Sequence, residues 1–79
     1  MKSKLANLLA DSARKYRTKF ADAGCDTSII AEDYDDLMSI AQMIEDKSDK
    51  NAITRAMWRL DTAVRDEIPD EVFWAFNGK

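Results

Sequence analysis

The stretch IAEDYDDLMSIAQMI, Ile30–Ile44, decides the fold. Its apolar positions Ile30, Tyr34, Leu37, Ala41 and Ile44 step by 4, 3, 4 and 3. That spacing lays one stripe along an α-helix and conflicts with the period of two of a half-buried strand. Met38 and Ile40 flank the stripe. Glu32, Asp33, Asp35 and Asp36 crowd the start of the same segment, where carboxylates favour the positive end of a helix dipole. Asp26, Thr27 and Ser28 are candidate N-caps, with Asp33 as the cap of a later start. The spacing predicts a helix over about residues 28–46, ending in the polar run EDKSDKN.

The flanking segments read the same way. Leu5, Leu8, Leu9, Ala13, Tyr16, Phe20 and Ala23 recur at helical spacing, and Gly24 supplies a left-handed stop, so a helix is expected over about 3–23. Ser48 or Asp49 should cap a third helix over about 50–67, with Ile53, Ala56, Met57, Leu60, Ala63, Val64 and Ile68 on its inner face. Pro69 suits the first position of a short fourth helix over about 69–76. Asp70 and Glu71 follow it, Val72, Phe73 and Phe76 face inward, and Asn77-Gly78 ends it. Two glycines and one proline leave few breakers, and no strand pattern, internal repeat or low-complexity tract is present. The expected architecture is all-α, a single domain over residues 1–79. It is a small antiparallel three-helix bundle closed by the short fourth helix. So small a core leaves room for a second copy to complete it.

The charge is sorted along these helices. Residues 1–20 carry six bases and one acid, residues 22–49 nine acids and one base (Lys47), and residues 50–79 five of each. The local balances of +5, −8 and 0 sum to the net charge of −3. Segregation of this kind points to charged partners. Arg14, Lys15, Arg17 and Lys19 on helix 1 form a basic patch that could face phosphate groups. The favoured expectation is that they pair with the acids of helix 2 in the same molecule, and direct nucleic-acid binding ranks below that because the rest of the chain is acidic.

Several chemistries are excluded. There is no histidine, so no imidazole base, His-based triad or His metal ligand. A single cysteine, Cys25, cannot build a zinc or iron–sulfur site or an intrachain disulfide, and it is expected to be a small buried thiol. No glycine-rich phosphate loop is present. The acids of helix 2 lack the alternating spacing and turn glycine of a calcium loop. No catalytic residue, metal or cofactor is expected, and the chain reads as a non-enzyme.

No apolar run approaches the roughly 20 residues that cross a bilayer. The opening MKSKLANLLADSARK resembles a signal peptide for a few residues, until Asp11 interrupts the apolar stretch. A cytoplasmic location is expected, in keeping with the lone cysteine.

Trp58 and Trp74 lie off the apolar faces of their helices. Burial in the bundle is the favoured reading. An exposed ring would be a partner anchor, with Arg55, Arg59 and Arg65 near Trp58 to accompany it. Both join Glu32, Asp33, Asp35 and Asp36 as candidate partner-binding residues.

The tail RDEIPDEVFWAF, Arg65–Phe76, resembles the ending of the Hha-type nucleoid regulators, small helical proteins that bind a nucleoid silencing protein. Asp66, Ile68, Pro69, Val72 and Phe73 carry the likeness. A proline-initiated amphipathic helix produces much of that pattern by itself, and the acid with which that family engages its partner falls at Ile53, so membership is not assigned.

Two classes of function fit. The first is an acidic, non-catalytic inhibitor or adaptor that docks helix 2 on a basic surface of a nucleic-acid-handling protein, as phage-encoded inhibitors of host defence or transcription do. The second is a self-associating module, a homodimer for instance, that takes a regulatory ligand or nucleic acid through helix 1, as a small nucleoid or transcription regulator would.

Overall fold

Helical runs follow one another along the chain: α1 (Lys4–Asp22), a 3-10 turn (Thr27–Ile30), α2 (Ala31–Glu45), α3 (Lys50–Arg59), α4 (Thr62–Arg65) and α5 (Asp70–Asn77). The computed structural model describes residues 1–78, and among them there is no strand. The all-α class expected from the periodicity is the observed one.

Local chemistry sets most of the helix ends. The Ser3 hydroxyl caps α1 by accepting from the Ala6 N–H at 3.2 Å. The Ser3 N–H itself donates to Glu45 Oε1, at the far end of α2, at 2.8 Å. The carboxylate of a capping box usually comes from the third residue of the same helix; here another helix supplies it. Near the other end of the pair, the Tyr16 hydroxyl donates to Asp33 Oδ2 at 3.5 Å. These two links make α1 and α2 antiparallel. Both helices close in the same way. After α1, the N–H groups of Gly24 and Cys25 return to the carbonyls of Ala21 and Phe20, with Gly24 at φ +80°. After α2, Lys47 and Ser48 return to Ile44 and Met43, with Lys47 at φ 57°.

The α1–α2 seam is tight because its centre is small. Ala6, Ala10 and Ala13 of α1 and Ala41 of α2 are all buried, with Leu9, Leu37, Ile40 and Ile44 filling around them. The expected face of α1 is thus turned by a position. Leu5 and Leu8 are only half-buried and Ala23 is exposed, while Ala6 and Ala10 take the interior. Leu37 is fully buried, as are Ile53 and Met57 of α3 and Val72 of α5. α5 packs against both α1 and α3, which closes the core.

The third helix departs from expectation. A continuous run over 50–67 is broken at Leu60 and Asp61, both with extended backbone (ψ 149° and 151°). Asp49 caps the first piece, its side chain accepting from the Ala52 N–H. The Asp61 carbonyl starts the second by accepting from the Val64 and Arg65 N–H groups. Arg65 secures the break: its Nη1 donates to the Leu60 carbonyl at 3.1 Å, satisfying an acceptor that the interrupted helix leaves open. The bend lets Leu60, Val64 and Ile68 all reach the core, while Ala63, expected inside, is exposed. The last helix starts one residue later than expected, with Pro69 as its N-cap and Asp70 as its first residue.

Candidate functional site

The basic groups of α1 do not pair with the acids of α2. Arg14 bonds Asp11 on its own helix at 2.8 Å. Lys19 reaches Glu67 beyond α4 at 3.6 Å, and Lys4 reaches Glu71 of α5 at 3.3 Å. Arg17 lies over the Tyr34 ring at 4.3 Å. Lys15 is exposed and joins no ion pair among the described residues. The expected α1–α2 charge pairing is therefore corrected: α1 spends its cations on itself, on a ring of α2 and on the C-terminal third, whose acids sit beside it in space.

The acidic run is left uncompensated. Among the described residues Glu32, Asp35 and Asp36 are exposed and belong to none of the ion pairs. Glu32 and Asp36 stand one turn apart on α2, with Asp35 beside them. Asp33 differs: it is half-buried and takes the Tyr16 hydroxyl, so it belongs to the seam. Burial, then the Asp33 charge, pushes the Tyr16 phenol above its ordinary value. The sequence-level patch of four acids is thus a surface row of three. Ile29, on the 3-10 turn just before the row, is 69% exposed. It was not singled out from sequence, although its position off the 4-3-4-3 stripe marks it. Past the row, Asp36 and Arg59 flank a hollow of about 220 Å3 between α2 and α3, floored by Ile40, Met43 and Leu60.

The tryptophans are the second correction. Trp58 is 55% exposed and Trp74 58%, against the expectation that the bundle would bury them. The bundle interior is filled by Val72, Met57 and Ile53, which leaves both rings on the outer face. The structure brings both rings together through Phe73. Trp58 meets Phe73 edge-to-face at 5.8 Å, and Phe73 meets Trp74 edge-to-face at 5.2 Å. Arg65 stacks on Trp58 at 4.4 Å. The Trp58 Nε1–H donates to Asn77 Oδ1 at 2.7 Å, so its polar atom is served within the molecule while ring surface stays open. Asn77 is held in turn by donating to the Phe73 carbonyl at 3.0 Å. Beside Trp74 lies an open hollow of about 200 Å3 lined by Arg65, Asp66, Ile68, Asp70 and Phe73. Phe73 and Asn77, which organise this patch, carried no sequence signal beyond their places in the tail.

Cys25 is exposed in the turn after α1, not buried as expected. It occupies the position after the left-handed glycine, where only its backbone N–H is engaged. Among the described residues no three acid or thiol groups converge where a metal ion could be held. Among the described residues no helix is long and apolar enough to cross a membrane. Comparison with protein-family models, with characterised proteins and with solved structures finds no match, so the tail likeness to the Hha-type ending rests on its own five residues.

Proposed function

We propose that this chain is a small, non-catalytic binding protein that presents the acidic row of α2 to a basic surface, acting as an inhibitor or adaptor of a nucleic-acid-handling protein. A phage-type inhibitor of host defence or transcription is the concrete form of this reading, and its setting is the cytoplasm.

One observation carries it. Asp35 and Asp36 are the fifth and sixth residues of α2, beyond the first turn, where the helix dipole rewards a carboxylate. Glu32, Asp33, Asp35 and Asp36 repel one another at three- and four-residue spacing, at a cost of a few tenths of a kcal/mol per pair. α2 contains no basic residue to offset them, and α1 sends its cations elsewhere. Asp35 and Asp36 neither cap, pair nor lie in the first turn where the dipole favours them, so they are a burden on folding, and a basic partner gives them a use. Carboxylates in a row can occupy the positions of phosphates on such a surface.

The test compares the wild-type chain with the variant Glu32→Gln, Asp35→Asn, Asp36→Asn, each immobilised and exposed to cell extract at about 0.1 M and about 0.5 M salt. The wild type should retain basic proteins at the lower salt, and the variant should not. The variant should also unfold at the same temperature as the wild type or slightly higher. Retention of the same proteins by both chains would overturn the reading.

A ligand or nucleic-acid role for α1 has less support, because Arg14, Arg17 and Lys19 are each engaged within the molecule.

A further inference from the structure

We infer that Asn77-Gly78, at the end of α5, is a self-modification site. When the contacts that hold the Asn77 amide open, the side chain cyclises onto the backbone, loses ammonia and leaves an acid beside Trp58. This site is separate from the acidic row of α2 and needs no partner.

The chemistry begins in the sequence. Asparagine is a thermolabile residue, most of all where the next residue has no side chain to shield the backbone nitrogen. Of the three asparagines, Asn7 precedes Leu8, Asn51 precedes Ala52 and Asn77 precedes Gly78. In the reaction the Gly78 backbone nitrogen gives up its proton and attacks Asn77 Cγ. The new C–N bond closes a succinimide ring, the Cγ–Nδ2 bond breaks, and Nδ2 takes up the proton and leaves as ammonia. Water then opens the ring at either carbonyl, giving aspartate or isoaspartate. Nothing is oxidised or reduced, and water is the one co-reactant.

The structure gives each half of this labile pair a reason to stand there. A Cβ at residue 78 would collide with the Trp74 carbonyl oxygen, so glycine is required. The Asn77 amide is used at both ends. Its Oδ1 accepts from the Trp58 Nε1–H at 2.7 Å, and its Nδ2 donates to the Phe73 carbonyl at 3.0 Å and to Met57 Sδ at 3.4 Å. An aspartate accepts but cannot donate, so it cannot make this set. The same contacts restrain the reaction. They draw the amide back one turn toward Phe73 and across to α3, whereas attack requires it to turn toward the residue that follows. Cyclisation therefore proceeds from a locally opened helix end, a state reached well below the cost of global unfolding.

Once formed, the acid does not restore the clasp. Its carboxylate meets the Phe73 carbonyl and the Met57 sulfur with no proton to offer either, and it sits at the negative end of the α5 dipole. Isoaspartate also lengthens the backbone in the last turn. The product loosens the end of α5 and releases Trp58, and the lost ammonia makes the change one-way.

The experiment incubates the full chain at physiological temperature in mildly alkaline buffer, then follows the digested C-terminal peptide by reversed-phase separation and mass spectrometry. Asn77 should convert, gaining the mass difference between OH and NH2 and splitting into two products of equal mass, while Asn7 and Asn51 persist. Conversion should be about tenfold or more slower in the native chain than in the urea-unfolded one. Trp58→Phe, which keeps a ring but removes the Nε1–H, should speed the native reaction roughly two- to tenfold, the weight of one hydrogen bond. Ile44→Val, a comparable loss of stability in the α1–α2 seam, should leave the rate unchanged. On a Trp74→Phe background, where emission reports Trp58 alone, Asn77→Asp should lower Tm and raise acrylamide quenching. A native chain that converts as fast as the unfolded one, an equal acceleration by Trp58→Phe and Ile44→Val, or an Asn77→Asp chain as stable and as shielded at Trp58 as its parent would overturn the inference.

Discussion

Lys47→Gly should stabilise the protein, and Gly24→Ala should destabilise it, although the two residues close their helices in the same way. Each occupies the left-handed position after its helix, Gly24 at φ +80° and Lys47 at φ 57°. The hydrogen bonds match: Gly24 to Ala21 and Cys25 to Phe20 after α1, Lys47 to Ile44 and Ser48 to Met43 after α2. A left-handed backbone costs a residue with a Cβ about 1–2 kcal/mol. Glycine escapes that cost but loses about 0.5–1 kcal/mol more in chain freedom on folding. The balance favours Lys47→Gly by about 0.5–1 kcal/mol, which for a chain of this length is roughly 2–8 °C in Tm. Electrostatics intrude, because Lys47 is the one base among residues 22–49, and its loss takes their balance from −8 to −9. Thermal unfolding followed by helical circular dichroism at about 0.5 M salt screens that effect. Lys47→Asn, with the same charge change and a side chain that tolerates the left-handed region, is the control and should fall between. At Gly24 no atom lies within 4 Å of an added Cβ, so the loss there, about 1 kcal/mol, is conformational alone. A Lys47→Gly chain that melts at or below the wild type in high salt, or two substitutions that shift Tm in the same direction, would refute the reasoning.

Two further outcomes follow from the α1–α2 pair. The backbone N–H groups of Ser3 and Lys2 hold the Glu45 carboxyl below its ordinary value, helped by the nearby N-terminal charge. Its contribution is therefore fully present above the usual carboxylate range and is lost as pH falls through the lowered value. Glu45→Gln should be less stable than the wild type near pH 7 and equal to it at about pH 2, read from urea midpoints across pH; a gap independent of pH would contradict the link. Leu37→Ala removes a fully buried side chain from the seam and should cost about 2–5 kcal/mol in urea unfolding at unchanged helical content, and a loss under 1 kcal/mol would mean the seam collapses around the gap.

What could be read in advance followed from local rules. Asp49 as a cap, Gly24 as a stop and the stripe through Leu37, Ala41 and Ile44 depend on neighbours within a few residues, and all three stand. The break at Leu60–Asp61 was illegible because Leu60, Val64 and Ile68 keep four-residue spacing across it. An interrupted and a continuous helix give the same apolar pattern there, and only the cap-type pair Asp61-Thr62 hinted at the difference. The destinations of Lys4 and Lys19 were illegible for another reason. Glu71 and Glu67 become their neighbours only when α5 folds back on α1, a fact of tertiary placement. For the tryptophans, the helical angles did place both rings off the core. The argument that so small a bundle would still bury them failed because Val72 and Phe73 already fill the α5 side of it.

The sorting of charge along the chain has a structural counterpart. Lys4 and Lys19 of the cationic first third tie the C-terminal third to α1, Arg14 and Arg17 are taken up by Asp11 and the Tyr34 ring, and of the acids in the middle third Glu32, Asp35 and Asp36 join no ion pair among the described residues.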